Sequence, residues 1–200
     1  MKLLLENWKK FINENIETAT RLSIFDFDET IAFTEGHINV TNKSTGEEFQ
    51  ISSQEEFDKL KADGGYDFDF SPLDQVNNAT ENPNITSIMR DRLQDPNTQV
   101  MVLTARDPVS IDDIHMTLQT FDEPIKTQNI IMIGNKGENK GEYVRDVILS
   151  KYDNIKEIEF YDDSDKNISD MSIIKNEISE SNRIEKFDIY HVVEGIPNLT

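Results

Sequence analysis

The segment Ile24-Phe25-Asp26-Phe27-Asp28-Glu29-Thr30-Ile31 places two aspartates two residues apart, then a threonine, directly after the apolar run 22–25. Side chains at i and i+2 of an extended strand share a face. Asp26 and Asp28 are therefore expected to leave the C-terminal end of that strand pointing the same way. Two carboxylates that close repel each other unless a cation or a positive side chain sits between them. Three later apolar runs end in matching chemistry. Run 99–103 leads into Thr104-Ala105-Arg106, and run 130–133 precedes a basic, glycine-containing stretch with Lys136 and Lys140. Run 158–161 ends in Asp162-Asp163-Ser164-Asp165. If the four runs are strands of one parallel sheet, their acids, hydroxyl and positive groups converge at a single edge. Open α/β sheets place their ligands at that edge.

The elements needed to hold such a site can be read from periodicity. Leu5, Trp8, Ile12, Ile16 and Ala19 recur at helical spacing, predicting an amphipathic helix over 3–19 before a strand at 21–27. The segment between Thr30 and Thr98 is too long for a plain crossover. Within it, 37–41 and 48–51 alternate around a turn-rich 42–46, predicting a β-hairpin, and Ser53 with Glu56 forms a capping-box signal for a short helix burying Phe57 and Leu60. Ile85, Ile88, Met89 and Leu93 mark a helix returning to the core. Asp107 and Pro108 read as N-cap and first residue of a helix burying Ile111, Ile114, Leu118 and Phe121. A helix over 141–151 turns Tyr143, Val144, Val147 and Ile148 inward, and 187–193 is a final strand. Strands alternating with helices imply a mainly parallel, doubly wound α/β sheet.

The four stretches together resemble the haloacid dehalogenase (HAD) superfamily of phosphohydrolases. They match as Asp26-x-Asp28-x-Thr30, Thr104 after an apolar strand, a lysine after the third strand, and the pair Asp162-Asp163. The resemblance spans roughly residues 20–170, apart from an insertion. It implies a HAD-type Rossmann-like core of residues 1–33 and 81–200, with residues 34–80 as a small cap inserted after the first strand. It also implies a Mg²⁺-dependent phosphomonoester hydrolase that works through an aspartyl-phosphate on a small phosphorylated metabolite or nucleotide. Asp26 would be the nucleophile and Asp28 the general acid and then base. Thr104 would hydrogen-bond a phosphoryl oxygen, and a lysine would neutralise Asp26 and the transferring group. Lys136 and Lys140 both stand in that region, Lys140 being preferred because it directly precedes a helix. Thr30 and Arg106 would serve substrate binding. The Mg²⁺ would take Asp26, the Asp28 main-chain carbonyl and Asp162, with Asp163 reaching it through water and Asp165 and Asn167 lying behind.

Departures and alternatives accompany that resemblance. Glu29 stands where many members have glycine. Asp67-Phe68-Asp69 repeats the acidic spacing, but Gly64-Gly65 precedes it and no threonine follows at the matching place, so it is expected in a loop or in the cap without catalytic weight. Thr104-Ala105-Arg106 and Tyr161-Asp162-Asp163 are similar to stretches of HAD phosphatases that process nucleic-acid ends, which makes a polynucleotide end an alternative substrate. A protein phosphatase would be expected to have an open, capless groove. A metal-binding HAD-fold protein without catalysis is the non-enzymatic alternative.

Composition narrows the partners. A formal charge of −19 and a pI near 4.4 argue against a general nucleic-acid surface, without excluding one local contact to a strand end. Zero cysteines exclude disulfides, thiol chemistry and thiolate metal sites. The three histidines, His37, His115 and His191, have no metal-ligand spacing. The apolar run at 3–5 is far too short to span a membrane, so a soluble, cytoplasmic protein is expected. Oligomeric state is not legible from these features.

Overall fold

The computed structural model describes residues 19–134, 139–179 and 183–200. The helix expected over 3–19 lies outside the described residues apart from Ala19, and so does Lys136. In chain order the elements are β1 (Arg21–Phe25), β2 (Ala32–Phe33), β3 (Ile38–Asn42), β4 (Glu48–Ile51), α1 (Gln54–Asp63), β5 (Tyr66–Asp69) and β6 (Thr80–Glu81). There follow α2 (Pro83–Gln94), β7 (Thr98–Thr104), α3 (Ile111–Thr120), β8 (Ile130–Met132), α4 (Lys140–Tyr143), β9 (Glu157–Asp162), α5 (Asp165–Ser179), β10 (Lys186–Val193) and β11 (Ile196–Leu199).

Six strands form the central sheet in the order β11-β10-β9-β1-β7-β8. All neighbours pair in parallel except β11 on β10. The period of two along each strand feeds two cores. Leu22 and Ile24 of β1 join Met101, Leu103, Ile158 and Phe160 on one face, where Val144, Ile148, Met171 and Ile174 cover them. Phe25 joins Val100, Val102 and Tyr161 on the other, under Ile85 and Met89 of α2 and Ile114 and Leu118 of α3. Strands buried on both faces explain why these runs are almost continuously apolar. From β1 the chain winds outward through β7 and β8, then returns to β9 on the opposite side of β1. The direction of winding reverses beside β1, which is where such sheets open a crevice at their carboxyl ends.

Between β1 and α2 lies a separate three-stranded antiparallel sheet in the order β4-β3-β5, with α1 against it. The expected hairpin and capped helix are both present. Ser53 Oγ accepts the Glu56 N–H at 3.2 Å, and Gly64 at φ 75° ends α1. Phe57 packs edge-on against Phe68 and Phe70. Asp67-Phe68-Asp69, expected in a loop or cap, is a strand of this sheet paired with β3.

Three further boundaries differ from the periodicity. β1 stops at Phe25 rather than residue 27, because Ile31 and Ala32 both donate their N–H groups to Phe27 O and close a turn. The helix after Lys140 widens into a π turn over Val144–Ile148, with Leu149 N–H bonded to Val144 O. That extra residue per turn rotates the buried face, so Leu149 is buried and Val147 only half-buried. A last strand, β11, follows a two-residue turn in which Glu194 and Gly195 have φ of 50° and 76°. Two consecutive positive φ values match the twist of a tight hairpin. Among the described residues no helix is long and apolar enough to cross a membrane.

Candidate active site at the carboxyl edge of the sheet

Each acid in the site is delivered by a strand end. Asp26 follows β1 and is still tied to the sheet, its N–H donating to Tyr161 O at 2.9 Å. Asp162 ends β9, and Asp163 follows it. Carboxylate oxygens of Asp26, Asp162 and Asp163 all lie within 4.8 Å of one another.

Lys140 enters this trio from α4. Asn139 caps that helix, accepting the Glu142 N–H at 3.1 Å, which makes Lys140 its first residue. The helix can press inward because residue 141 is glycine; a Cβ there would stand 2.9 Å from Ile174 Cγ1 and 3.1 Å from Asp170 O in α5. Lys140 Nζ consequently lies 2.7 Å from Asp26 Oδ1 and 2.8 Å from Asp162 Oδ2, almost wholly buried. Burial alone would discharge it, but Asp162 and Asp26 outweigh burial and hold its pKa above the ordinary lysine range.

One lysine does not balance three carboxylates. Burial pushes the Asp26 carboxyl well above its usual range; Lys140 opposes this, and Asp162, Asp163 and Asp28 add to it. Burial and the Asp162 charge raise Asp163 to about 7, again against Lys140. The donors are all oxygens, so the trio suits a hard divalent cation, whose charge would remove that excess.

The two members of the acidic pair have different surroundings. Asp162 is fully buried and accepts from Lys140, from the Ser164 N–H at 2.9 Å and from Asn167 Nδ2 at 3.0 Å. Asp163 instead lines a cleft of about 840 Å³ with Asp26, Asp28, Thr104 and Lys140. It also lines an adjoining pocket of about 300 Å³ under the three-stranded sheet. His191 Nε2 contacts the Asp163 carbonyl at 2.9 Å, an arrangement with no signal in the sequence.

Asp28 reaches the same cleft from the turn after β1, not from the strand itself. Its carboxylate is fixed by Arg106, with Nε to Oδ2 at 2.9 Å and Nη2 to Oδ1 at 2.8 Å, and by Thr34 Oγ1 to Oδ1 at 2.8 Å. Arg106 spends Nη1 on the carbonyls of Leu73 and Gln75. The arginine expected to touch substrate is therefore turned onto Asp28 and the segment returning from the insertion. Thr104 ends β7, and its hydroxyl accepts the Arg106 N–H at 3.2 Å. Thr30, also expected to bind substrate, lines neither cavity. The turn on Phe27 O swings it inward, where its hydroxyl is buried without a hydrogen-bond partner and its carbonyl accepts Asn82 Nδ2 at 2.8 Å. Asp165 and Asn167 border the larger cleft, Asp165 strongly exposed.

No protein-family profile matches this chain, and no curated protein matches it. Thr34 was not foreseeable as a partner of Asp28, since nothing in its spacing marks it. Asn139 was: Asn139 followed by Glu142 three residues on has the spacing of a helix start.

Proposed function

We propose that this protein is a Mg²⁺-dependent phosphomonoester hydrolase of HAD type, with Asp26 as nucleophile. The observation that carries this reading is the meeting, at one cleft, of Asp26, its 2.7 Å lysine partner and two further carboxylates delivered by a neighbouring strand. Hydrolysis of a phosphomonoester must overcome repulsion between an anionic nucleophile and anionic phosphoryl oxygens, so fixed positive charge at the attacked group matters most.

In this reading the free Asp26 oxygen attacks phosphorus, forming an acyl–phosphate bond while the bond from phosphorus to the leaving oxygen breaks. Asp28 protonates the leaving oxygen. Its Oδ2 accepts from Arg106 Nε, whereas Oδ1 accepts from both Arg106 and Thr34. Asp28 then takes a proton from the water that attacks the phosphoryl group, releasing phosphate and restoring Asp26. Lys140 offsets charge on Asp26 throughout, and the Thr104 hydroxyl donates to a phosphoryl oxygen. Asp26, Asp163, the Asp28 carbonyl and Asp162 are the groups that would hold Mg²⁺. When bound, the ion neutralises phosphoryl oxygens and the surplus carboxylate charge. Arg106 acts here as a positioning residue for Asp28.

A polynucleotide end is the less favoured substrate. Of the positive side chains at the two cavities, Lys140 and Arg106 are buried in ion pairs and Lys166 is engaged by Asp170 at 2.6 Å. Purified protein assayed on p-nitrophenyl phosphate with Mg²⁺ and with EDTA, beside Asp26→Asn, tests the reading. Metal-dependent turnover lost in the variant is expected. If the wild type turns over neither this ester nor a panel of natural monoesters, the reading fails.

A further inference from the structure

Glu29 is an unusual residue to find in its turn. Its φ is 54°, in the left-handed region where a side chain costs about 1 kcal/mol relative to glycine. Its neighbours Asp28 and Thr30 are held by the Phe27 turn, so residue 29 must adopt this conformation whatever its side chain. A glycine would fit without strain, yet a glutamate is present. Backbone strain retained beside a candidate site motivates a functional question about the side chain.

The side chain has a defined place. Oε1 accepts the Thr34 N–H at 3.2 Å, which fixes the solvent-exposed carboxylate at the rim of the cavities. Glu29 lines both the 840 Å³ cleft and the 300 Å³ pocket beside it. The smaller pocket has room for about ten water volumes at ~30 Å³ each. Phe57, Ile38, Ile51 and Leu73 give it an apolar wall, and His37 joins them. It opens beside Asp28, which is the place of a leaving group in the proposed hydrolysis.

Charges around the pocket do not cancel. Asp28 is matched by Arg106. Asp163 belongs with the cation-binding trio. Among the described residues Glu29 forms no ion pair, and no lysine lines the smaller pocket. A leaving group seated there would meet one fixed, uncompensated negative charge and an apolar wall.

We infer that Glu29 is a specificity-determining residue that restricts this pocket to phosphomonoesters whose leaving alcohol carries no second negative charge. This rests on the hydrolase reading above. Neutral leaving groups fit the apolar wall, and a small ammonium group gains from Glu29. Carboxylated, bisphosphorylated or polynucleotide leaving groups are repelled. At the separations within a pocket this size, and with partial solvent screening, one unit charge changes relative rates roughly five- to tenfold.

The test measures kcat/KM for wild type, Glu29→Gln and Glu29→Gly, all with Mg²⁺. The substrates are p-nitrophenyl phosphate, phosphoethanolamine, 3-phosphoglycerate and a 3′-phosphorylated dinucleotide. Each ester is expressed relative to p-nitrophenyl phosphate and each variant relative to wild type, so intrinsic reactivities cancel. Both variants are expected to raise relative activity on 3-phosphoglycerate and the dinucleotide roughly five- to tenfold, and to lower it on phosphoethanolamine. Glu29→Gly also relieves the left-handed strain, so a raised Tm would accompany the shift and separate it from misfolding. Turnover with ratios that neither variant moves overturns the inference and leaves the hydrolase reading standing. No turnover of any ester by the wild type overturns both.

Discussion

Two buried charged clusters sit on the same pair of strands, and they are built on opposite principles. Midway along the sheet, Glu159 of β9 lies across from Ser23 of β1. Its Oε2 accepts from Arg92 Nε and from Ser23 Oγ, each at 2.7 Å, and its Oε1 accepts from Arg92 Nη2 at 2.9 Å. One acid meets one base, and every strong acceptor is occupied. At the carboxyl edge, one lysine faces Asp26, Asp162 and Asp163. A matched buried pair needs nothing further, whereas an unmatched one costs free energy until a ligand supplies the missing charge. The contrast separates a structural ion pair from a site better than burial does, since both clusters are buried.

The largest effect expected from that contrast is on activity. If the proposed hydrolase reading holds, Asp26→Asn should lower phosphomonoesterase turnover by roughly 10³-fold or more, since it removes the proposed nucleophile. It also removes one surplus charge, so its Tm without metal should equal or exceed that of the wild type. A fall in Tm would show that the trio is balanced after all.

Lys140→Met comes next. It leaves the carboxylates with no positive partner, and should cost about 3–5 kcal/mol of stability by denaturant titration in EDTA. Mg²⁺ should recover part of that loss and should raise the wild-type Tm as well. A wild-type Tm indifferent to millimolar Mg²⁺ would argue against a cation at the trio.

Glu159→Gln should cost less, about 2 kcal/mol, because Arg92 is partly exposed and water can take over its hydrogen bonds. Its kcat should match the wild type. A change in kcat would mean that the two clusters are coupled along β1 and β9.

A further prediction concerns Glu123, another buried carboxylate. Arg90 Nε lies 2.8 Å from its Oε1, but neither carboxylate oxygen receives a well-directed hydrogen bond. Burial pushes its pKa from 4.5 to about 7, against the pull of Arg90. In the range between those values the folded chain keeps a proton that the unfolded chain has released. Glu123 therefore contributes a loss of stability as pH rises from about 4.5 to 7, and no further change above. Glu123→Gln should flatten that part of the stability–pH curve, measured by urea unfolding at several pH values. An unchanged slope would place the titration elsewhere.

The core strands were legible because a strand buried on both faces must be largely apolar, and runs 22–25, 99–103 and 158–161 are so, with Ser23, Gln99 and Glu159 as the polar exceptions. The turn chemistry was partly legible: Ser53 with Glu56 and Asp107 with Pro108 both cap where expected, the latter through a short 3-10 turn at Pro108–Ser110. β5 was obscured because its acidic residues resemble a turn, and only pairing with β3 makes it a strand. β11 was obscured because Pro197 and Asn198 have poor strand propensity and depend on β10 for pairing.

Strand-end chemistry, the order of the four stretches and the α/β class follow from the sequence, because apolar runs and the polar residues that end them are local properties. Which groups touch is not local. The approach of α4 to α5 at Gly141 lodges Lys140 between Asp26 and Asp162. The turn on Phe27 O carries Thr30 inward and Glu29 outward over the pocket. The insertion's return past Leu73 and Gln75 turns Arg106 onto Asp28. Each of these contacts joins residues far apart in the chain or reverses a direction that strand periodicity would have set, so only the packed structure decides it.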